Sequence, residues 1–331
     1  MTARLDLTPC PSPNWQCEGH IQTIAAMQWG RRTRQHFLRQ RLNTSDGDFL
    51  DIDWAGPRQH SDGGFDGKAL VIFHGLEGNS KSHYAQAIGA HFVALGWMVA
   101  VAHFRGCSGE PNRLARSYFS GDSGDVNFIL TQVRSQLPQA QWHAAGVSLG
   151  GNALLKYTGE QGAQLSWLHG VAGISVPIDL VATGMQLQNS VIGRYVYTPH
   201  FLASMRTKIQ QKAAAFPGIL NWNKALRART LLDFDDAYTG PVHGFRSALD
   251  YWSRCSSTYK LRGIRVPTLL LNARNDPFIP QASLPAPGQC SDQVLLHYPG
   301  SGGHAGFASG TGRGDLTWLP RRLEQFFIER R

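Results

Sequence analysis

Short runs of apolar residues recur along this chain and alternate with longer segments of mixed polarity. The apolar runs are 69–73, 99–104, 168–175, 266–273 and 293–298. Their length and their turn-forming flanks predict buried strands, whereas 84–95, 125–136 and 316–329 have helical patterns. Strands that alternate with helices in this way are typical of an α/β protein with a mostly parallel central sheet flanked by helices.

Three further segments depart from this rhythm. Residues 1–30 show no regular pattern, so they predict an irregular N-terminal arm. Segments 35–42 and 49–54 flank Ser45-Asp46-Gly47-Asp48, which predicts a hairpin with an Asp-Gly turn. Residues 179–257 have a helical and polar pattern, which predicts a cap-like insertion above the strand ends. We expect all 331 residues to form a single domain that includes the arm and the insertion.

A serine set among small residues is the first candidate for chemistry. It lies in Gly146-Val147-Ser148-Leu149-Gly150-Gly151, between an apparent strand and an apparent helix. Gly-x-Ser-x-Gly is the sharp turn that exposes a serine hydroxyl for attack on a carbonyl, and its glycines remove side chains that would collide across the turn. A purely structural turn has the same pattern. The assignment of Ser148 as a nucleophile therefore depends on finding an acid and a histidine later in the chain.

Asp276 is the candidate acid, because it follows the apolar run 266–273 and begins a turn at Asn275-Asp276-Pro277. A carboxylate just beyond the C-terminal end of a strand lies where ligands collect in open α/β sheets. A turn aspartate that caps the next segment would have the same sequence. The competing aspartates do not follow a comparable buried strand; they are Asp233, Asp235 and Asp236.

His304 is the candidate base among 13 histidines, because glycines surround it and it follows Asp276 in the chain. The backbone N–H of Leu149, the residue after the serine, is a predicted donor to an oxyanion. We expect the second donor to be the N–H of Leu76, in the loop after the strand 69–73. His74 in that loop is interpreted as a residue that orders the loop.

Together these motifs resemble the YheT-like branch of the α/β-hydrolase superfamily. The segments that carry the resemblance are 74–78, 82–84, 104–112, 146–157, 276–278 and 302–307. The resemblance implies an α/β-hydrolase fold and a hydrolase or carboxylesterase with Ser148, Asp276 and His304 as its triad. Val147 and Ala305 stand where an aromatic residue and a valine are common in similar chains, and they affect only the expected shape of the acyl pocket.

The cysteines and the apolar stretches of the chain argue against a metalloprotein, a secreted protein and a membrane-spanning protein. The five cysteines are scattered without a metal-ligand pattern, so we expect no metal site. Their odd number and scatter fit the reducing cytoplasm, where we expect the protein to be located. We expect no cofactor. The N-terminus lacks the apolar core of a secretory signal, and the longest apolar stretch, 92–102, is too short to span a membrane.

A net charge of +9 is concentrated in two basic clusters. The clustered arginines are Arg31, Arg32, Arg34, Arg39, Arg41, Arg321, Arg322, Arg330 and Arg331. A solvated basic face explains them, and attraction to an anionic substrate or to a membrane surface is the alternative. No nucleic-acid module is recognised. Arg113 and Arg116 either steer an acidic substrate or pair with Asp122 or Asp125.

These observations predict a serine hydrolase that cleaves a small-molecule or lipid-like carboxylic ester through an acyl-enzyme. An acyltransferase or thioesterase would use the same three residues. A binding protein on a hydrolase scaffold is the alternative from another class, and the presence of all three residues argues against it. The substrate and the oligomeric state are left open by the sequence.

Overall fold

The structure, a computed structural model, describes residues 2–30, 32–57 and 65–329. Within them a single sheet has nine strands: β1 (Arg4–Asp6), β2 (Leu38–Asn43), β3 (Phe49–Ala55), β4 (Lys68–Phe73), β5 (Met98–His103), β6 (Gln141–Val147), β7 (Gly170–Ile174), β8 (Thr268–Leu271) and β9 (Val294–His297). Their order is β1-β9-β8-β7-β6-β4-β5-β3-β2.

The sheet is mostly parallel, as the sequence predicts. Only β3 runs against its neighbours, β5 on one side and β2 on the other. The hairpin of β2 and β3 pairs Leu42 with Leu50 and turns through Gly47, whose φ of 85° suits glycine. The central strands β4, β5 and β6 are buried almost throughout, because helices cover both faces of the sheet. The predicted strands and hairpin are therefore confirmed.

Among the described residues, four helices pack against the sheet: α2 (His83–Ala94), α3 (Ser123–Gln136), α4 (Leu149–Gln161) and α11 (Trp318–Glu329). A further helix, α1 (Gly19–Trp29), packs against α2 and against loops. The side chain of Asp122 accepts from the backbone N–H of Asp125 and so caps the start of α3. Helix α4 begins directly after Ser148, so the strand–serine–helix order predicted from the sequence is present. In the described residues no helix is both long enough and apolar enough to cross a bilayer.

A helical insertion lies between β7 and β8. Its helices are α5 (Leu180–Asn189), α6 (Thr198–Ala215), α7 (Trp222–Leu226), α8 (Leu231–Phe234), α9 (Gly240–Val242) and α10 (Ala248–Cys255). Two π-helical turns, Gly193–Tyr197 and Asp235–Thr239, interrupt them. Leu202, Trp222 and Tyr238 belong to a separate apolar cluster inside the insertion. This segment is the helical cap that the pattern over 179–257 predicts.

The N-terminal segment differs from the irregular arm that the sequence predicts. Its strand β1 pairs with β9 at the edge of the sheet, and its helix α1 begins after Glu18, whose side chain accepts from the N–H of His20 and of Ile21. The prediction failed because the residues of α1 that are buried, among them Ala25 and Ala26, form no clear apolar stripe; Ala26 packs against Ala87 of α2 and against the loop residues Ala308 and Leu316.

The specific motif 104–112 has a structural role. Arg105 is buried, and its guanidinium binds Asp125 (Nε to Oδ2, 2.7 Å) and Asp48 (Nη1 to Oδ2, 2.9 Å). Asn112 Nδ2 donates to Asp48 Oδ1 at 2.8 Å. These bonds join the loop after β5 to the hairpin turn and to α3. A third carboxylate, Asp46 Oδ2, lies 3.1 Å from Arg105 Nη2. The guanidinium offers five donors in a fixed planar arrangement, whereas a lysine would offer three on one flexible ammonium group.

Four of the predicted basic residues that the structure describes form ion pairs with acidic side chains. Arg39 pairs with Asp53 and Arg41 pairs with Asp51 across the β2–β3 hairpin, while Arg322 lies 3.3 Å from Asp6. Arg116 Nη2 lies 2.7 Å from Asp122 Oδ2, and Arg113 donates to Asn43 and to backbone carbonyls. Arg31, Arg330 and Arg331 lie outside the described residues. For the paired arginines, a structural role is the simpler interpretation.

Candidate active site

Ser148 occupies a strained turn at the end of β6. Its φ of 52° and ψ of −122° are unusual for a residue with a side chain, and its N–H donates to Ile174 O at 2.8 Å. A Cβ at Gly146 would lie 2.6 Å from Gly150 O, and one at Gly150 would lie 2.4 Å from His74 O. The two glycines are therefore required by close backbone packing, as the motif predicts.

The structure brings the three predicted residues into one hydrogen-bonded chain. Ser148 Oγ lies 2.9 Å from His304 Nε2, and His304 Nδ1 lies 2.8 Å from Asp276 Oδ2. The other carboxylate oxygen, Asp276 Oδ1, accepts from Phe278 N at 2.8 Å. Because a carboxylate only accepts, Nδ1 carries the ring hydrogen and Nε2 is left to accept from the serine hydroxyl. The Phe278 ring stacks on the imidazole with 4.2 Å between centroids.

Helix α1 positions the loops that carry the acid and the histidine. Gln22 Oε1 accepts from Asn275 Nδ2 (2.9 Å) and from Gly302 N (2.7 Å), and Thr23 Oγ1 accepts from His304 N (2.9 Å). Neither side chain was predicted from the sequence, because residues 1–30 were expected to be irregular. The one available signal was Glu18 before an uninterrupted helix-compatible stretch, which is consistent with an N-cap.

Two backbone amides beside Ser148 have no protein acceptor within the described residues: those of Leu76 and Leu149. Leu149 is the first residue of α4, where amide groups lack intrahelical partners. The loop of Leu76 is close to the serine, since a Cβ built on Gly75 would lie 3.2 Å from Ser148 Cβ. The Gly75 N–H itself is used, because it donates to Tyr84 Oη at 2.8 Å.

Glu77 joins the loop of Leu76 to the cap. It is a non-glycine residue with a φ of 56°, and its Oε1 accepts from Tyr118 Oη and from Lys208 Nζ, both at 2.8 Å. Its Oε2 accepts a hydrogen bond from Ser204. Lys208 and Ser204 both belong to α6, so a cap helix helps to fix a strained backbone next to Ser148.

The remaining sequence candidates lie apart from this chain of bonds. His74 Nδ1 donates to Gly75 O and its Nε2 accepts from Phe104 N, while burial lowers the pKa of His74 to about 3. His74 thus orders its loop as a neutral ring. Asp233 caps α8 and Asp236 accepts from Ala248 N, so neither contacts His304.

A cavity of about 140 Å³ lies between the sheet and the cap and reaches Ser148. Its wall is dominated by apolar and aromatic side chains from both parts, among them Leu149, Pro177, Leu187, Phe201, Ile209, Phe234, Trp252 and Phe278. An apolar cavity that ends at a serine with a hydrogen-bonded histidine can hold the apolar part of a substrate beside the reacting group.

Comparisons with known proteins identify the family of this chain. A family model described as the alpha/beta hydrolase fold matches residues 68–311. YheT of Escherichia coli strain K12, a candidate esterase by its name, is 35% identical over 92% of this chain and 88% of its own length. This chain belongs to the YheT-like branch of the α/β-hydrolase superfamily. The resemblance of the motifs is thereby confirmed.

This YheT-like hydrolase is also similar to proteins with lower sequence identity. The mouse phospholipase ABHD3 is 26% identical over 94% of this chain and 76% of its own length. The esterase Pf2001 of Pyrococcus furiosus superimposes with a TM-score of 0.55 at 13% identity, over 91% of this chain and 98% of the other. The latter shows that the fold is shared and no more.

Asp235 is a cap carboxyl whose ionisation should affect stability. Burial raises its pKa to about 6, above its ordinary value of 3.8. As pH rises, Asp235 loses its proton near pH 4 in the unfolded chain but only near pH 6 in the folded protein. The free energy of unfolding therefore falls between about pH 4 and pH 6 and stays at its lower value above pH 6. We expect Asp235→Asn to raise the free energy of unfolding by about 3 kcal/mol at pH 8 and to have little effect near pH 4. Urea unfolding at both pH values measures this, and an equal effect at the two would contradict it.

Proposed function

We propose that this protein is a serine hydrolase that cleaves carboxylic esters through an acyl-enzyme on Ser148. The observation that carries the proposal is the hydrogen-bonded chain from Ser148 through His304 to Asp276, with a buried carboxylate at its far end. A serine hydroxyl is a weak nucleophile by itself and needs a base within hydrogen-bond reach, and that base needs a third group to orient it.

The reaction follows from these positions. Ser148 Oγ attacks the ester carbonyl carbon while its proton moves to His304 Nε2. Asp276 stabilises the imidazolium through Nδ1–H and stays ionised. The tetrahedral intermediate then breaks its bond to the alcohol oxygen, which takes the proton from Nε2 as it leaves. Water then attacks the acyl-enzyme carbonyl carbon while its proton moves to His304 Nε2. The second tetrahedral intermediate breaks its bond to Ser148 Oγ, which takes the proton back, and the carboxylic acid is released.

The amides of Leu76 and Leu149 are the proposed donors to the oxyanion. Both lie beside Ser148 and neither has another acceptor in the described part of the chain. Leu149 also lies at the start of α4, where the helix dipole favours negative charge. Donors that are already fixed before the reaction stabilise the developing charge without reorganising, and removing one such donor typically costs about 10²-fold or more in kcat.

The substrate class follows from the cavity and the relatives. The apolar wall beside Ser148 suits an ester with an apolar acyl or alcohol part. The names of the relatives, a candidate esterase and a phospholipase, describe ester-cleaving proteins and support the same class. The cytoplasmic location and the participation of the three residues in catalysis stay predictions.

Labelling with a fluorophosphonate tests the proposed nucleophile. We expect the folded wild type to gain the mass of one adduct, because the reagent reacts with serines activated by a base. Ser148→Ala should gain none and should melt at the same temperature. A peptide map must place the adduct on Ser148. An unlabelled wild type, or an adduct on another residue that survives in Ser148→Ala, would contradict the proposal.

The link between Glu77 and Lys208 predicts a cap-dependent effect on turnover. We expect Glu77→Gln and Lys208→Met each to lower kcat about tenfold with a smaller change in KM, because both loosen the backbone that presents the Leu76 amide. The double variant should be no worse than either single variant, since both act on one contact.

Lys212→Met is the matched control for Lys208→Met. Lys212 lies one turn further along α6 and donates to Leu114 O and Arg116 O, so its loss removes a buried ammonium without touching Glu77. It should lower the melting temperature and leave kcat near the wild-type value. An equal loss of kcat in Lys212→Met would attribute the effect to general loosening of the cap.

A further inference from the structure

Asp235 is a cavity carboxyl without a cationic partner among the described residues. Its Oδ2 accepts from Trp252 Nε1 at 2.8 Å, and the other groups that act on it are the Thr239 hydroxyl and the Asp236 carboxylate. The second carboxylate in the cavity wall, Glu77, differs because Lys208 neutralises it. Asp235 takes no part in the bonds of Ser148, His304 and Asp276.

The surroundings of Asp235 show that it faces the interior of the cavity. The residue lines the cavity and keeps part of its surface accessible, although protein encloses it closely enough to raise its pKa to about 6. It also begins the π-helical turn Asp235–Thr239, a distortion that is frequent at functional sites. At neutral pH the carboxylate is therefore ionised and poorly solvated, which is unfavourable without a further donor.

A second polar group lies on the neighbouring helix. Thr183 lines the same cavity from α5, is 9% exposed, and has a buried hydroxyl oxygen that forms no hydrogen bond to any of the described residues. The next residue, Gly184, packs against the Trp252 ring, since a Cβ there would lie 2.4 Å from a ring carbon. The tryptophan that donates to Asp235 thus also contacts the helix turn of Thr183.

We propose that Asp235 and Thr183 form a polar subsite that binds a hydrogen-bond-donating group, a hydroxyl or an ammonium, on the ester held beneath the cap. This inference rests on the proposed function of Ser148. Few polar groups in an otherwise apolar cavity fix the orientation of a ligand. A site built to bond such a group also rejects an analogue that lacks it, because the polar atoms of the site are then left unpaired.

A purely structural role for Asp235, as an acceptor for Trp252, predicts a different result. If the carboxylate only anchored the Trp252 indole, Asp235→Asn would keep an acceptor for Nε1 and would leave the choice of substrate unchanged. Selectivity between esters, rather than activity or stability alone, is therefore the property that separates a ligand subsite from an anchor.

Matched p-nitrophenyl esters test the subsite. The acids are heptanoic, 6-hydroxyhexanoic and 6-aminohexanoic acid, which differ in the terminal group only, together with the same three at neighbouring chain lengths. We expect the wild type to prefer a donor-ended ester to the methyl-ended one by about tenfold in kcat/KM, as for a hydrogen bond to a charged group. Reversed esters, with the polar group on the alcohol, identify which half of the ester lies beneath the cap.

Two variants and a control decide the outcome. Asp235→Asn removes the charge and should abolish a preference for the ammonium, whereas Thr183→Val keeps the side-chain shape and should reduce a preference for the hydroxyl. Asp236→Asn, at the adjacent position outside the cavity wall, should keep both preferences, because it leaves the Asp235 carboxylate and the Thr183 hydroxyl in place. A wild type that prefers the methyl-ended esters, or ratios that stay constant in both subsite variants, would overturn the inference.

Binding measurements separate this inference from the proposed function. Hexylammonium, 1-hexanol and hexyl methyl ether share an apolar body, and only the first two donate. We expect both donors to raise the melting temperature of Ser148→Ala more than the ether does, and Asp235→Asn in that background to remove the difference for hexylammonium. Equal shifts for all three ligands contradict the subsite, whereas ester hydrolysis by Ser148→Ala contradicts the proposed nucleophile.

Discussion

Ser148→Ala is expected to lower kcat for ester hydrolysis by about 10⁴-fold or more, which is the size of loss that follows removal of a triad serine. The alanine has no oxygen to form the acyl-enzyme, and the water that remains is not held by His304 Nε2 at 2.9 Å as Oγ is. Steady-state hydrolysis of a p-nitrophenyl ester measures the loss, with enzyme concentration raised until a residual rate is resolved.

The fold of Ser148→Ala should be intact. Alanine at a φ of 52° has about the same backbone strain as serine, and the Ser148 N–H that donates to Ile174 O is retained. Thermal unfolding should therefore agree with the wild type to within a few degrees. Substantial hydrolysis by the folded variant would place the nucleophile elsewhere, and the fluorophosphonate adduct would then identify it.

Asp276→Asn is expected to lower kcat by about 10⁴-fold, the second large effect. The substituted amide would accept from Phe278 N through its oxygen and turn its NH₂ group toward His304 Nδ1. That ring nitrogen must then accept, so the hydrogen moves to Nε2, which can no longer take the proton of Ser148. The melting temperature should change far less than the rate.

Asp236→Asn is the control for the acid assignment. Asp236 was a competing acid in the sequence, and it accepts from Ala248 N in the cap, which an asparagine can also do. It should keep nearly full kcat in the same assay. A 10⁴-fold loss in Asp236→Asn and a small loss in Asp276→Asn would assign the acid to the cap rather than to the loop after β8.

The partly buried carboxylate of Asp235 should affect both the stability of the fold and the choice of substrate. Its raised pKa means that the folded protein is less stable at neutral pH than it would be with asparagine at this position. Functional sites often contain groups that lower the stability of the fold, and an ionised carboxylate in the cavity beside Ser148 is such a group. If Asp235→Asn stabilises the fold and also removes selectivity for a donor-ended ester, the two effects have one cause.

The cap shows where sequence reasoning was sufficient and where it stopped. The change of pattern at 179–257 predicted a helical insertion, and the structure has one between β7 and β8. Nothing in that pattern showed that Lys208 would reach Glu77 or that Asp235 would bond to Trp252. These contacts join residues that are far apart in the chain, and short-range periodicity carries no information about them.

Helix α1, near the N-terminus, is a second element whose contacts the local sequence pattern did not predict. Its residues Gln22 and Thr23 bond to the loops of Asn275 and His304, more than 250 positions further along the chain. The segment was expected to be irregular because its sequence has no clear apolar stripe. A helix of this kind forms through its tertiary contacts and its cap more than through an amphipathic pattern.

The sequence alone determined the buried strands, the sharp turn at Ser148 and the order of serine, acid and histidine. These features depend on local chemistry: apolar runs favour buried strands, and only glycine fits the crowded positions 146 and 150. The tertiary structure decided that the three side chains meet, that α1 orders their loops and that the cap places Asp235 and Thr183 in one cavity. Such distances depend on how distant segments pack together, and a pattern of neighbouring residues does not contain them.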